Sequence, residues 1–484
     1  MPQVQTRFRE IESMAPFRRS PDVHQPHEAA VTGKVPEWLQ GDLLRTCPAV
    51  FAQGDWQARH WFDGLGQIYA FRIAGGAVSF QSRLLDSEAA REVAAGRAQR
   101  SSFGTPTGRT PWQRLLQPVQ RSTDNTNVNI VQMGDELVAM TEGAQQLRID
   151  AATLRSLGVR PYAQDGLAGT LMSAHPHRDF ARRQVVNLAT NFGSSGGVVS
   201  LYEHGDGEHT RRVVGSWRTD RVPYLHSFGL TPSRAVLLAH PFSVKPLAML
   251  WSNRGYIDHF EWRPQDGTRL VVMDRATGAT TEYETNAMFV FHTVNAFERG
   301  GETVLDVLAY PDAAIMEDLR VARMVERLPD LRPSLVRITM RPGQPRAELQ
   351  TLSEAGFEFP CIHYRRHSGS DYRFAWGAAD GPAANDGSGG YASSIVKVDL
   401  HSGMGRSFSD GERIYGEPVF VARPGGTDED DGVLLSVGCS QQQRSSALAI
   451  LDARTMALLA SVEVPAAIPL GFHGSFVHAQ GGRT

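Results

Sequence analysis

Four times along the chain, a short β-rich run ends in aspartate, a tight turn follows, and a second short run begins. The copies are LRIDAATLRSLG around Asp150, VVMDRATGATTEY around Asp274, IVKVDLHSGMGRSF around Asp399 and LAILDARTMALLASVEV around Asp452. An aspartate at the end of a strand caps the turn with its carboxylate, and Thr or Gly closes it. A strand–Asp–turn–strand unit spread from residue 147 to near the C-terminus matches the outer hairpins of β-propeller blades. Short β-branched segments such as IYAFRIAGG, VVNLATNFG, ETVLDVLAY and DGVLLSVG, bounded by Gly, Asp or Pro, add further strands.

A chain of 484 residues would ordinarily divide into several domains. That prior does not hold for closed repeat folds, and no linker interrupts the pattern, so we expect one domain over residues 1–484, with a flexible segment before about residue 20. Helical patterning is confined to residues 87–100, 112–120 and 312–326, insertions able to build a cap over one end of the strand array. By composition, residues 377–390 (GAADGPAANDGSGG) read as a flexible surface loop.

Partners are narrowed by charge. Lys plus Arg is 49 against 52 for Asp plus Glu, and a near-neutral balance offers no basic face for nucleic acid. The three cysteines, Cys47, Cys361 and Cys439, form no CxxC pair and read as free thiols in a reducing compartment. The N-terminus carries no apolar core of a secretory signal, and no uncharged apolar run reaches the length of a membrane span. The expected location is therefore the cytoplasm, with attachment to a membrane surface left open.

Among sixteen histidines, His175, His226, His240, His292 and His473 stand at the ends of apolar strands, and His177 follows His175 closely. No HExxH spacing links them. Single histidines far apart in sequence still converge where each blade of a propeller sends one inner strand to the axis. Glu142, Glu358 and Glu417 lie among apolar or aromatic neighbours, where a carboxylate needs a partner. A metal-bound imidazole gives its second N–H to such a group, and neutral imidazoles suit a borderline metal such as Fe(II).

A series of motifs then supplies a resemblance. GDLLRTCPAVF (41–51), HWFDGLGQIYAFRI (60–73), RSSFGTP (100–106), TDNTNVNIV (123–131), AMTEG (139–143), SAHPHRD (173–179), YLHSFGLT (224–231), FHTVNAFE (291–298), FEFPCIHY (357–364), GEPVFVARPGGTDEDDGVLLSVG (416–438) and FHGSFV (472–477) run nearly end to end. In this order they resemble the carotenoid cleavage oxygenases, most of all the subgroup of the animal β-carotene oxygenases and the retinal-epithelium isomerase. The resemblance implies an all-β, seven-bladed β-propeller with a helical and loop dome over an iron face. It implies Fe(2+) on His175, His226, His292 and His473, with Glu142, Glu358 and Glu417 as outer carboxylates and His175 lacking such a partner. It sets aside His177, His240 and His363.

The implied reaction is cleavage of one C=C bond of a carotenoid or apocarotenoid with O2, giving two carbonyl products such as retinal. By matching position, Phe51, Phe103, Thr141, Tyr224, Tyr310 and Phe359 are expected to line the substrate tunnel. Residues 240–256 and 111–121, apolar with interspersed basic groups, are candidates for a peripheral membrane patch. Residues 107–120 do not reproduce the cysteine-bearing membrane loop of the vertebrate members. Stilbene-cleaving relatives carry a lysine just before the first outer glutamate. Thr141 at that position, with Phe103, favours a hydrocarbon polyene. Isomerohydrolase activity would use the same iron site. Non-catalytic binding of an apocarotenoid would need none, and the full set of four histidines and three glutamates speaks against it.

Overall fold

The computed structural model describes residues 14–118, 122–163, 165–167, 171–381 and 391–479. The protein is all-β. Among the described residues the strands form nine sheets, of which seven contain four to six strands.

The aspartate turns fold as their chemistry dictates. Asp150, Asp274 and Asp452 each accept the backbone N–H and the hydroxyl of the threonine three residues on, Thr153, Thr277 and Thr455. At Asp399 the carboxylate accepts the His401 N–H instead. Each turn joins neighbouring antiparallel strands, as where Thr268–Asp274 pairs with Thr280–Thr285.

Burial grades across each sheet. Every residue of Gly432–Ser440 is buried, so this run of Val, Leu and Ser has covered faces on both sides. Outermost strands such as Glu348–Ser353 are largely exposed. The sheets pack face to face. Val186 and Leu201 meet Leu237 and Val271 of the next sheet, and Val236 and Val272 meet Leu305 and Ile338 of the one after. Phe297 and Leu335 then meet Ala375 and Val398.

Two sheets join the ends of the chain. Gly474–His478 pairs antiparallel with Gly41–Val50, and Ala30–Gly33 pairs antiparallel with Leu458–Val464. Unfolding either terminus therefore opens a sheet built from the other.

The helices are shorter than their sequence patterns. Residues 87–100 yield Glu88–Ala94, followed by Gly96 at a positive φ of 71° that an ordinary side chain resists. Residues 112–120 yield Pro111–Leu116, started by a Thr110 and Gln113 capping box, and residues 119–121 lie outside the described residues. Residues 312–326 split into Ala314–Asp318 and Val321–Glu326.

The expected loop at 377–390 starts too early. Its first residues close the strand Phe374–Ala379, where a side chain on Gly377 would strike the Phe357 ring at 2.3 Å. Small residues there serve close packing, and residues 382–390 lie outside the described residues. The expected N-terminal flexible segment falls mostly outside them as well, but Ala15–Phe17 forms a buried turn and Phe17 packs on Phe51. Among the described residues no helix is long and apolar enough to cross a membrane.

Candidate metal centre

Seven side chains converge, one from each of the seven larger sheets or the segment beside it. His175 sits between Leu171–Met172 and His177–Asp179, and His226 between Val222–Pro223 and Gly229–Leu230. His292 lies in Phe289–Arg299, and His473 immediately precedes Gly474–His478. Glu142, Glu358 and Glu417 come from the other three sheets. The strand carrying His292 loses register between Val290 and Thr293, and such a bulge re-aims a side chain that regular alternation would point elsewhere. Phe359, next to Glu358, is held at φ 57°, a left-handed conformation that costs a residue of its kind about 1–2 kcal/mol.

The ligand nitrogens of His175, His226, His292 and His473 all lie within 4.8 Å of one another, the one such cluster of three or more metal-binding groups among the described residues. Burial holds His175 well below the usual histidine range, lowers His226, and brings His473 down to about 4, so these imidazoles are neutral near pH 7.

Each of three has its Nδ1 on a carboxylate: His226 on Glu142, His292 on Glu358 at 2.6 Å, and His473 on Glu417 at 2.8 Å. A carboxylate only accepts, so the nitrogen facing it carries the proton, and in the neutral imidazole the Nε2 opposite is a bare lone pair. His292 Nε2 and His473 Nε2 nevertheless face each other at 3.2 Å. Two lone pairs cannot bond to one another. A cation between them resolves the conflict. Imidazole nitrogens bound to a metal at about 2.1 Å lie about 3.0 Å apart when cis. The 3.2 Å here and the 2.9 Å between the Nε2 atoms of His175 and His226 fit that spacing.

The glutamates are braced in three ways. Tyr224 donates its hydroxyl to Glu142 at 2.7 Å. Glu417 takes the Gly474 N–H at 3.0 Å and stands 3.5 Å from the buried guanidinium of Arg45, which also donates to the Phe472 carbonyl. Glu358 receives the Phe359 N–H at 3.2 Å. Three carboxylates and one guanidinium sum to two negative charges, which a divalent cation balances. Sequence reasoning missed Arg45, whose partner lies 372 positions away.

The cluster opens onto a cavity walled by Trp61, Phe62, Phe103, Phe291, Phe359 and Phe472. Of the six residues expected to line it, Phe103, Thr141, Tyr310 and Phe359 do so. Phe51 and Tyr224 do not. Phe51 is wholly buried against Phe17, and Tyr224 stands behind Glu142 with its hydroxyl committed to that carboxylate.

Phe103 is positioned by Asp63, another residue that sequence reasoning passed over. The Asp63 carboxylate accepts the N–H groups of Phe103 (2.7 Å) and Gly104 (2.9 Å) and the Thr105 hydroxyl (2.7 Å). The backbone here is so close-packed that a Cβ on Gly104 would meet His60 at 2.7 Å. The signal available was an acidic residue inside the aromatic run HWFDG.

Comparison with known proteins agrees with this geometry. A family model described as retinal pigment epithelial membrane protein matches residues 16–478. The carotenoid isomerooxygenase of Galleria mellonella is 31% identical, over 94% of each chain. The human β,β-carotene 15,15'-dioxygenase is 29% identical, over 94% of this chain and 92% of its own. Among solved structures, a point mutant of the Synechocystis apocarotenoid oxygenase superposes with a TM-score of 0.83 at 27% identity, covering 99% of both chains. A cobalt-substituted form of that enzyme gives 0.82 at 27% identity, covering 97% of this chain and 99% of its own.

Proposed function

Because the chain belongs to the retinal pigment epithelial membrane protein family of carotenoid oxygenases, we propose that His175, His226, His292 and His473 hold its iron and that Glu142, Glu358 and Glu417 orient three of them. The protein is a non-haem iron oxygenase that cleaves a carotenoid or apocarotenoid double bond with O2. The observation that carries the ligand assignment is the pair of lone pairs facing each other on His292 and His473.

Iron(II), when bound, supplies the activation of O2, whose two oxygen atoms end as the two carbonyls of the products. The rest is the work of the chain. The aromatic wall binds an extended polyene and excludes water, and Phe103, fixed through Asp63, helps to align one double bond beside the histidines. No side chain has to act as a general base.

We read the seven larger sheets as the seven blades of a propeller, with residues 1–484 forming one domain. The face-to-face packing, the pairing of first with last strands and the contribution of one converging residue by each sheet support this. The helices and loops around Phe103 and Tyr256 form the dome.

The test is incubation of iron-loaded protein with β-carotene, an apocarotenal and resveratrol, followed by product mass analysis. Polyene cleavage to two carbonyl fragments is expected. Cleavage of resveratrol alone would overturn the substrate assignment.

We also propose a cytoplasmic protein that docks peripherally on membranes. Trp112, Leu115 and Leu116 are 73%, 60% and 83% exposed, and Leu247 and Trp251 are 59% and 56% exposed. The two segments adjoin, since Trp251 donates its N–H to Pro118 and Arg114 donates to the Trp251 carbonyl. Met249, from the same segment, lines the cavity, so the patch borders the route of an insoluble substrate. Substituting Trp112→Glu with Leu116→Glu is expected to weaken liposome cosedimentation about tenfold or more. Unchanged partitioning would sink the docking proposal.

A further inference from the structure

Under the exposed helix Pro111–Leu116 lies a second cavity, with Glu88, Arg100, Arg109, Leu116, Ser122 and Asp124 in its wall. Ser122 also lines the aromatic cavity that faces the histidines, so the two cavities adjoin. Arg109 is only 5% exposed. Its Nη2 donates to the Gln117 carbonyl, and its Nη1 is buried without a partner. Burial, and then the charge of Arg114, lower the pKa of Arg109, and among the described residues no carboxylate offsets them. Arg114 gives its Nη1 to the Trp251 carbonyl, while its Nε is buried and unpartnered too. Two neighbouring guanidiniums, partly desolvated and without a counter-ion, are costly unless an anion joins them. Their N–H forks match the oxygens of a phosphate.

The same cavity carries carboxylates. Glu92 is committed to Arg100, and Asp124 to the N–H groups of Glu88 and Ala89. Glu88 is exposed, and no described residue forms an ion pair with it. A headgroup of net negative charge would meet repulsion here. A zwitterion satisfies both signs.

We propose that this cavity seats the headgroup of a zwitterionic phospholipid, its phosphate on Arg109 and Arg114 and its ammonium toward Glu88. The acyl chains then leave past Trp112, Leu115 and Leu116 into the bilayer, and the mouth beside Ser122 is held against it. This rests on the docking reading above and names the lipid that reading left open.

The test is cosedimentation of iron-loaded protein with vesicles of phosphatidylcholine, of phosphatidylglycerol and of an uncharged galactolipid without phosphate, all of equal acyl composition. Wild type is expected to bind phosphatidylcholine about tenfold more tightly than the galactolipid. Arg109→Gln should abolish that preference and leave galactolipid binding unchanged. Glu88→Gln, a substitution at an exposed position, should shift the preference several-fold from phosphatidylcholine toward phosphatidylglycerol. Equal binding of wild type to phosphatidylcholine and galactolipid, or equal losses on both in Arg109→Gln, would overturn the headgroup site. If wild type bound no vesicle, the docking reading would fail, and soluble glycerophosphocholine would decide the cavity through its phosphorus NMR line. Broadening by wild type and not by Arg109→Gln supports the site, whereas no broadening, or equal displacement by inorganic phosphate, overturns it.

Discussion

His292→Ala protein is expected to purify without iron, where wild type carries about one iron per chain, and its polyene cleavage is expected to fall about a hundredfold or more. The substitution removes one of four nitrogen donors and leaves Glu358, only 3% exposed, without the N–H it accepts at 2.6 Å. A buried carboxylate stripped of its partner costs about 3–5 kcal/mol, so some loss of stability accompanies the loss of metal. Glu358→Gln separates the two effects. The amide oxygen can still accept from His292 Nδ1, but the negative charge behind the imidazole is gone. Iron affinity should then drop about tenfold to a hundredfold while the fold survives. Metal analysis of both variants, with melting curves for each, reads this directly. Full iron content in His292→Ala protein would refute the ligand assignment.

What the sequence made legible was local chemistry. The hairpins at Asp150, Asp274 and Asp452 could be read because aspartate and threonine meet across three residues, and the structure has these bonds. Glu142, Glu358 and Glu417 stood out because carboxylates in apolar surroundings need partners, and each has a histidine. The four histidines are 181 positions apart at one contact and 51 at another, so no spacing rule could join them. Only the motif resemblance separated them from His240, which is buried against Phe289 and Tyr224.

Long-range packing decided the rest. Phe51 and Phe359 look alike in sequence, yet one faces Phe17 in the core and the other faces the cavity. Tyr391 adjoins a glycine-rich stretch that reads as loop, and nothing local announces a phenol facing a cavity. Arg45 sits in a strand that reads as ordinary, and its charge matters only because Glu417, 372 positions away, folds back beside it. Residues 87–100 keep a helical pattern past the point where Gly96 turns the backbone left-handed.

The second large effect is expected at Asp63. Burial raises its carboxyl to about 6, against the pull of the three donors it accepts from Thr105, Gly104 and Phe103. The folded value exceeds the unfolded value of 3.8, so the folded chain binds this proton more tightly. Its contribution to stability is complete below about pH 4 and is lost as pH rises through about 6. The difference between the two values corresponds to about 3 kcal/mol in all, of which about 1 kcal/mol falls between pH 5 and pH 7. Asp63→Asn abolishes that dependence and turns an amide NH2 toward backbone N–H donors, with an added cost of about 2–4 kcal/mol. The variant should therefore be less stable than wild type at pH 7, and the deficit should widen by about 1 kcal/mol at pH 5. Denaturant unfolding of both proteins at the two pH values tests the sign, because contributions from other carboxylates cancel in the difference. Since the same bonds hold the loop that carries Phe103, the KM for a polyene should rise several-fold as well. A deficit that stayed constant with pH would mean that Asp63 keeps one protonation state throughout, and the clamp on Phe103 would then be neutral or permanently charged.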